Sequence, residues 1–561
     1  MCRLTLTLIC LMIVLALYVP IRLSAQEYTY GPLKIAGSAG FTTELYGVSG
    51  IGSRRPPASG RLFANLTAEG AGFRYGLDMN LSTEQSSIRQ NLNQLGLNVS
   101  YRWLTIAAGD VRPVFSPFSL NGQNIRGASL ETTPGKMFFS VTGGRSRRAV
   151  KPTDERFRLT PGFDRWYYAT KIGYEHSLTD YFYVIGTYGR DAAGSLKPSL
   201  RNEFNLIPAE NSTLSTEFGK RFWGDRFNLD GTFTWSTHNG NTSLGSDGTI
   251  SSSGLFPGFD DGAGTFSDYA GRVNLRFNQS NFSLGTTYER VQPGFISMGL
   301  PYLRNDQEQI RFTPQIQLFD RKVRLGLEYS HIRNNLEGQL LNTNSRHLAG
   351  INTQARITER FSMGGAYRIM LNYIIPEESI RDFDNRQMTH TVTFTPVYKW
   401  DQNGLSHNIQ LSSNIQLFTL DRFVNDEKLK SDFKNLTNSL NYSLLLGSGL
   451  SFSPGLTHVV SRTDQSNLNA FRSQLSVSKG FFNRLVVLST GTSYTNNRTT
   501  FGSGVDRPKA KTEQFSLNIT AGYRLPIGDY LRLNIRGLRN SSSTGTDFSE
   551  IQARLQLKHR F

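Results

Sequence analysis

Cysteine is almost missing from this chain of 561 residues: there are 2, Cys2 and Cys10, both within the first ten positions. A mature chain lacking them cannot rely on the disulfides that staple small extracytoplasmic domains. Long apolar runs are missing as well. Beyond residue 25 nothing approaches the roughly 20 consecutive apolar residues of a helical membrane span, so a bundle of membrane helices is excluded. Acidic residues are under-represented, 44 Asp+Glu against 61 Lys+Arg, for a formal net charge of +17. Charged residues of both signs make up only 19% while aromatics reach 12%, the opposite of what keeps a chain disordered. Paired metal ligands are lacking too. The histidines (176, 238, 331, 347, 390, 407, 458 and 559) are scattered singly, with no HxxxH or CxxC spacing. No cofactor, metal site or catalytic set is expected, and the chain reads as a non-enzyme.

What is present begins with a targeting segment. Arg3 supplies a positive start, Leu4 to Val19 is nearly unbroken apolar sequence, and Pro20 precedes Leu23-Ser24-Ala25 and then Gln26. This predicts a secretory signal peptide over 1–25, cleaved between Ala25 and Gln26. Lipid attachment at Cys10 is disfavoured, because Thr7-Leu8-Ile9 lacks the small residues such a signal needs and the apolar run continues past it. Both cysteines leave with the signal, and 26–561 is expected to form a single domain.

From Ile35 onward, segments of about ten residues alternate apolar and polar side chains at the strand period of two. Tyr269, Gly271, Val273, Leu275 and Phe277 interleave with Ala270, Arg272, Asn274, Arg276 and Asn278. Ile310, Phe312, Pro314, Ile316 and Leu318 interleave with Gln309, Arg311, Thr313, Gln315 and Gln317. The pattern recurs around Phe319-Asp320-Arg321-Lys322, Thr358-Glu359-Arg360 and Asp401-Gln402-Asn403-Gly404. No stretch of comparable length keeps a helical period. Tight turns alternate with longer loops rich in Gly, Ser, Asn and Asp, among them 110–124, 190–211, 237–267 and 291–307. Counting segments predicts about 26 strands, within a range of about 22–26, each of the ~9–11 residues that cross a bilayer at a tilt.

Every such strand has one apolar face, and no sequence is left over to cover all of them. The opposite faces carry Arg, Gln, Asn and Thr, which need water. A closed antiparallel transmembrane β-barrel satisfies both demands and leaves no free edge. A soluble sandwich or propeller would need covering elements or blade motifs. Aromatic clusters at strand ends are expected to form interfacial girdles. They are Trp166, Tyr167 and Tyr168; Tyr181, Phe182 and Tyr183; Phe222 and Trp223; Tyr398 and Trp400; and Phe481 and Phe482.

The last segment is the most informative. Ile551, Ala553, Leu555, Leu557, His559 and Phe561 share one face; Gln552, Arg554, Gln556, Lys558 and Arg560 share the other. A terminal amphipathic strand ending in an aromatic residue resembles the assembly signal of Gram-negative outer-membrane β-barrel proteins, and the likeness extends over 26–561. That resemblance implies a cell outer-membrane location, with short turns in the periplasm and longer loops outside. It also implies outer-membrane lipid and the barrel assembly machinery as partners, with Leu555, Leu557 and Phe561 carrying the signal. It does not choose among functions.

Lumenal charge is the feature with chemical content. Arg272, Arg276, Arg311, Arg324, Arg356, Arg368, Arg472, Arg524, Arg532 and Arg536 fall on polar strand faces, as do Arg554, Lys558 and Arg560, with few acids in the same segments. Rings of such cations favour anions in a pore. Nucleic acid is not an expected partner of an exported barrel. Asp260-Asp261-Gly262 reads as a turn, because the calcium-loop ligand order is absent. Periodicity starting near Ile35 leaves no room for an N-terminal plug domain. Two functions follow: a plugless channel or export component with a basic lumen, or a secretion or assembly scaffold whose lumen is filled by loops or an unidentified partner. Terminal sequencing of the mature protein should begin at Gln26; retention of residues 1–25 would refute the signal reading.

Overall fold

A computed structural model describes residues 29–30, 33–83, 93–150, 161–243, 264–376, 385–424, 427–502, 508–525 and 529–561. The expected Ala25–Gln26 junction and the Asp260-Asp261-Gly262 turn lie outside the described residues. The fold is a closed antiparallel barrel of 26 strands. It runs from Leu33–Ser49 to Phe548–Arg560, and each strand pairs with its sequence neighbours. Closure comes from the first and last of these, registered Thr43 with Leu555 and Phe41 with Leu557. Across this seam Arg554 donates to Glu44 at 2.7 Å, and the Phe561 amide donates to the Gly37 carbonyl at 3.1 Å. Every strand therefore has two partners, and the barrel has no exposed edge.

One rim carries only tight turns of two to five residues, from Ala71-Gly72 to the connection after Arg524. The other rim carries longer connections on the side of the barrel formed by residues 33–307, and shorter ones on the opposite side. These are called the turn end and the loop end below. Strand lengths depart from the expected uniform span. Leu405–Val424 and Glu427–Leu446 have 20 residues each, against 8 in Leu104–Val111. About 9–11 residues cross a bilayer, so the long pair continues its ladder well past the apolar band. A short 3-10 turn, Ala193–Ser195, and a six-residue helix, Pro198–Glu203, interrupt the strands among the described residues. Proline at the helix start needs no helical donor, and helical periodicity is not detectable over so few residues.

The alternation maps onto the two faces of the wall. Along the ladders Leu275, Phe312, Leu327 and Ile351 share the outer face, where Leu327 is 39% and Ile351 42% exposed. Apolar side chains this open on a continuous surface require a lipid cover. Among the described residues no helix is long and apolar enough to cross a membrane; the strands are the spanning elements. Around the seam the same face holds Leu555, Leu557 and Phe561, with the Phe561 ring edge-on to His559 at 4.4 Å.

A charge at that position would break the interfacial preference of the ring and burden the closing seam. Phe561→Asp is expected to lower the yield of heat-modifiable, membrane-inserted barrel severely, whereas Phe561→Tyr should be mild. Wild-type yield from the Asp variant would remove Phe561 from any role in closure or assembly.

Candidate functional site: a lumen narrowed by two infolded segments

Two long connections at the loop end fold back inside the barrel. Residues 112–124 form a small hairpin, Val114–Ser116 with Leu120–Asn121, and residues 292–306 run beside it. Phe118 and Leu120 are fully buried, and Phe115 and Phe295 nearly so. The wall that receives them is built from Val111, Ile125, Tyr167, Ala169, Tyr183, Ile185, Ala270 and Val291. Through the registered pairs Ala169–Thr187, Thr187–Thr213, Thr213–Ser236 and Thr234–Ala270 these positions lie on one continuous face. It is opposite to the lipid-facing one, and hence lumenal.

Tyr167 is the anchor. Its hydroxyl donates to the Ser119 carbonyl at 3.1 Å and lies 2.8 Å from Thr187 Oγ1. Its ring lies so close to Gly189 that a Cβ there would sit 2.7 Å from a ring carbon. On the other side Gly299 approaches so tightly that a Cβ would fall 2.1 Å from the Ser119 carbonyl oxygen. Only glycine permits either contact. Ser297 Oγ donates to the same Ser119 carbonyl at 2.8 Å, tying the two segments together. The second segment is held by Asn211, which donates to the Ile296 carbonyl at 3.0 Å and accepts from the Met298 amide at 3.0 Å. Asp268 accepts from the Gly294 amide at 2.9 Å. Lys171 donates to the Phe115 carbonyl at 3.1 Å, pairs with Glu217 at 2.9 Å and lies 4.1 Å from the centre of the Tyr183 ring. These contacts give the buried backbone groups of both segments protein partners.

The girdle expectation needs correction at three positions. Trp166, Tyr168 and Phe182 do face outward, at 45%, 49% and 50% exposure. Tyr167, Tyr181 and Tyr183 point the other way, and Tyr167 is fully buried beneath the infolded segments. Consecutive strand residues alternate faces, so a run of three aromatics cannot all reach the interface.

The ladder places the sequence-predicted arginines on the lumenal face. Arg276 stands opposite Asn228, Arg311 opposite Thr287, Arg324 opposite Gln354 and Arg356 opposite Ser362. Arg472 stands opposite Thr495, Arg524 opposite Tyr530, Arg532 opposite Gly522 and Arg536 opposite Asn518. All eight are exposed, and among the described residues none has a carboxylate within 4.0 Å. Three others are neutralised from another strand, a pairing the single-segment view of the sequence did not show. Arg272 pairs with Glu289 and lies over the Phe118 ring at 5.3 Å. Arg368 pairs with Glu328 at 3.5 Å and Arg554 with Glu44 at 2.7 Å. Arg276, Arg324, Arg356, Arg524 and Arg532 gather toward the turn end.

Two recesses show that the lumenal charge is segregated. A recess of about 810 Å³ near the turn end is lined by Arg321, Lys322, Arg324 and Arg356, with Asp320 its one acid. Gly364 and Ala366 leave the wall thin there. Across the barrel a recess of about 410 Å³ beside Phe115 is lined by Asp78, Asp110 and Glu131, with Arg112 its one cation. Between the basic arcs the wall is neutral and polar. Thr391 and Thr393 face inward beside Gln416 and Asn414, and Asn414 donates to Thr393 Oγ1 at 2.8 Å. Ser493 and Ser516 lie 2.7 Å apart on the same face. On the outer face the isolated-histidine reading misses one juxtaposition: His331 and His347 are cross-strand partners stacked at 4.2 Å.

Removing the Tyr167 ring leaves a cavity under the hairpin and leaves the Ser119 carbonyl with the Ser297 hydroxyl alone. Tyr167→Ala should cost the docked segment about 3–5 kcal/mol and Tyr167→Phe about 1 kcal/mol. Limited proteolysis within 112–124 checks this, with cleavage expected in the Ala variant and not in the Phe variant.

No family model matches the chain, and no curated protein does. Among solved structures it is similar to OpdL of Pseudomonas aeruginosa, at 14% identity and a TM-score of 0.29, covering 68% of this chain and 96% of that one. It is similar to OccAB3 of Acinetobacter baumannii at 10% identity and a TM-score of 0.30, covering 68% and 98%. It is similar to OpdK of Pseudomonas aeruginosa, solved with vanillate, at 13% identity and a TM-score of 0.28, covering 64% and 94%. Likeness this slight carries neither activity nor substrate across.

Proposed function

We propose that the protein is an outer-membrane channel, its turn end in the periplasm and its loop end outside, with a lumen that favours anionic polar solutes. One observation carries this. Among the described residues the infolded segments cover the inner wall from Leu104–Val111 to Phe282–Val291. On the rest of the lumenal wall Arg311, Arg324, Arg356, Arg472, Arg524, Arg532 and Arg536 are exposed and without a carboxylate within 4.0 Å among those residues, while Arg368 and Arg554 are paired. A circular barrel of this strand number is about 50 Å across at ~4.8 Å spacing and ~40° tilt. Segments of 13 and 15 residues narrow such a lumen without filling it. Arginines lining the open side raise the local anion concentration, while hydroxyl and amide side chains exchange hydrogen bonds with a passing solute. Asp78 and Glu131 on the far side would orient a solute bearing both charge signs.

Single-channel recording in planar bilayers tests the proposal. Wild-type barrel should give large steady currents with anions preferred, and replacing Arg276, Arg311, Arg324 and Arg356 together by Gln should cut the anion-to-cation permeability ratio by about threefold or more. A folded, inserted barrel that stays silent would overturn the channel and favour a scaffold. Current unchanged in selectivity by the four substitutions would overturn the role of the arginines.

A further inference from the structure

The outer wall carries a charged feature that conduction does not use. On the strand Glu427–Leu446 the outward positions rise from the turn end as Leu444, Tyr442, Leu440, Asn438 and Leu436, then change to Lys434. On its neighbour Leu450–Thr463 they rise through Phe452, Pro454, Leu456, His458 and Val460 to Arg462, His458 being opposed to Asn438. Lys434 and Arg462 are directly opposed across the ladder. Farther round, Arg498 and Lys511 are directly opposed as well. Like charges at opposed positions repel, and all four side chains are exposed.

Nearby acids do not settle these charges. Glu513 pairs with Lys511 at 2.9 Å and Asp432 with Lys430 at 3.1 Å. Among the described residues Lys434, Arg462 and Arg498 have no carboxylate within 4.0 Å. Height is the second observation. Lys434, Arg462 and Arg498 each lie twelve residues from the turn-end residue of their strand, which is Leu446, Leu450 and Val486. Twelve residues at ~3.4 Å and ~40° tilt rise about 30 Å, the thickness of a bilayer's hydrocarbon core. These cations thus stand where the headgroups of the loop-side leaflet begin.

We infer that Lys434, Arg462 and Arg498 form a binding site on the outer wall for the phosphate of a membrane lipid in the loop-side leaflet. The acyl chains lie along the apolar residues below, and the phosphate sits between cations that otherwise repel. A fixed acidic protein partner would not need cations at headgroup height, above a face that carries Leu436, Leu440, Leu444, Phe452, Leu456 and Val460. The inference rests on the membrane-spanning reading but is independent of conduction.

The experiment uses the full barrel in zwitterionic nanodiscs supplemented with a bisphosphorylated glycolipid (lipid A), with retained lipid counted by native mass spectrometry. Wild type should retain it on the order of a hundredfold better than the triple variant Lys434→Gln, Arg462→Gln, Arg498→Gln, at about fivefold per cation. Dephosphorylated lipid A should be held no better by wild type than by the variant, and millimolar inorganic phosphate should not displace the intact lipid. Should the triple variant fail to fold by heat modifiability, Arg462→Gln alone is expected to lose about fivefold. Equal retention by wild type and folded variant, or retention surviving dephosphorylation, overturns the lipid-phosphate site. Displacement by inorganic phosphate also overturns it and indicates a plain anion site. Failure of wild type to enter nanodiscs at all refutes the membrane reading instead.

Discussion

Hydrocarbon offers backbone amides no partner, so each N–H and C=O in a spanning strand has to bond to a neighbouring strand. That demand can be met everywhere only if the sheet closes, and the rest of this structure follows from the closure of Leu33–Ser49 on Phe548–Arg560. Closing the ladder carries the register around the barrel, and the register assigns strand side chains to the outer or the lumenal face. The Glu44–Arg554 pair at the seam lies on the lumenal side, where water screens it and its contribution to stability is small. The backbone ladder does the closing.

The lumen is the part that departs from a simple tube. Its covered arc, around Tyr167, Thr187, Asn211 and Ser236, resembles the interior of a soluble protein, with buried aromatics and with the hydroxyls of Tyr167, Thr187 and Ser236 hydrogen-bonded. Its open arc, around Arg311, Arg356 and Arg536, resembles a hydrated surface. The two meet at Arg272, which is paired with Glu289 on the wall and lies over Phe118 of the infolded hairpin. The division places the narrowing on one side of the barrel and leaves Arg311, Arg356 and Arg536 exposed on the other. The tight glycine contacts at Gly189 and Gly299 make the docked arrangement specific, since any side chain there would lift the segments off the wall.

Much of the architecture was legible in the residues themselves. A strict period of two, repeated in segment after segment, is a local property, and it identified all-β structure, the strand number and the face on which Arg276, Arg311 and Arg324 sit. Turn chemistry is equally local, so Asn403-Gly404 and Phe319-Asp320-Arg321-Lys322 were readable as tight connections. What the sequence could not determine depends on which distant residues meet. The folding of 112–124 and 292–306 into the lumen rests on contacts such as Asn211 with Ile296 and Ser297 with Ser119, separated by 85 and 178 positions. No periodicity encodes those contacts. For the same reason the neutralisation of Arg368 by Glu328, and the opposition of Lys434 to Arg462, emerged only once the ladder had set strands side by side. Alternation along one strand determines which face a side chain takes; only the closed sheet decides what stands next to it.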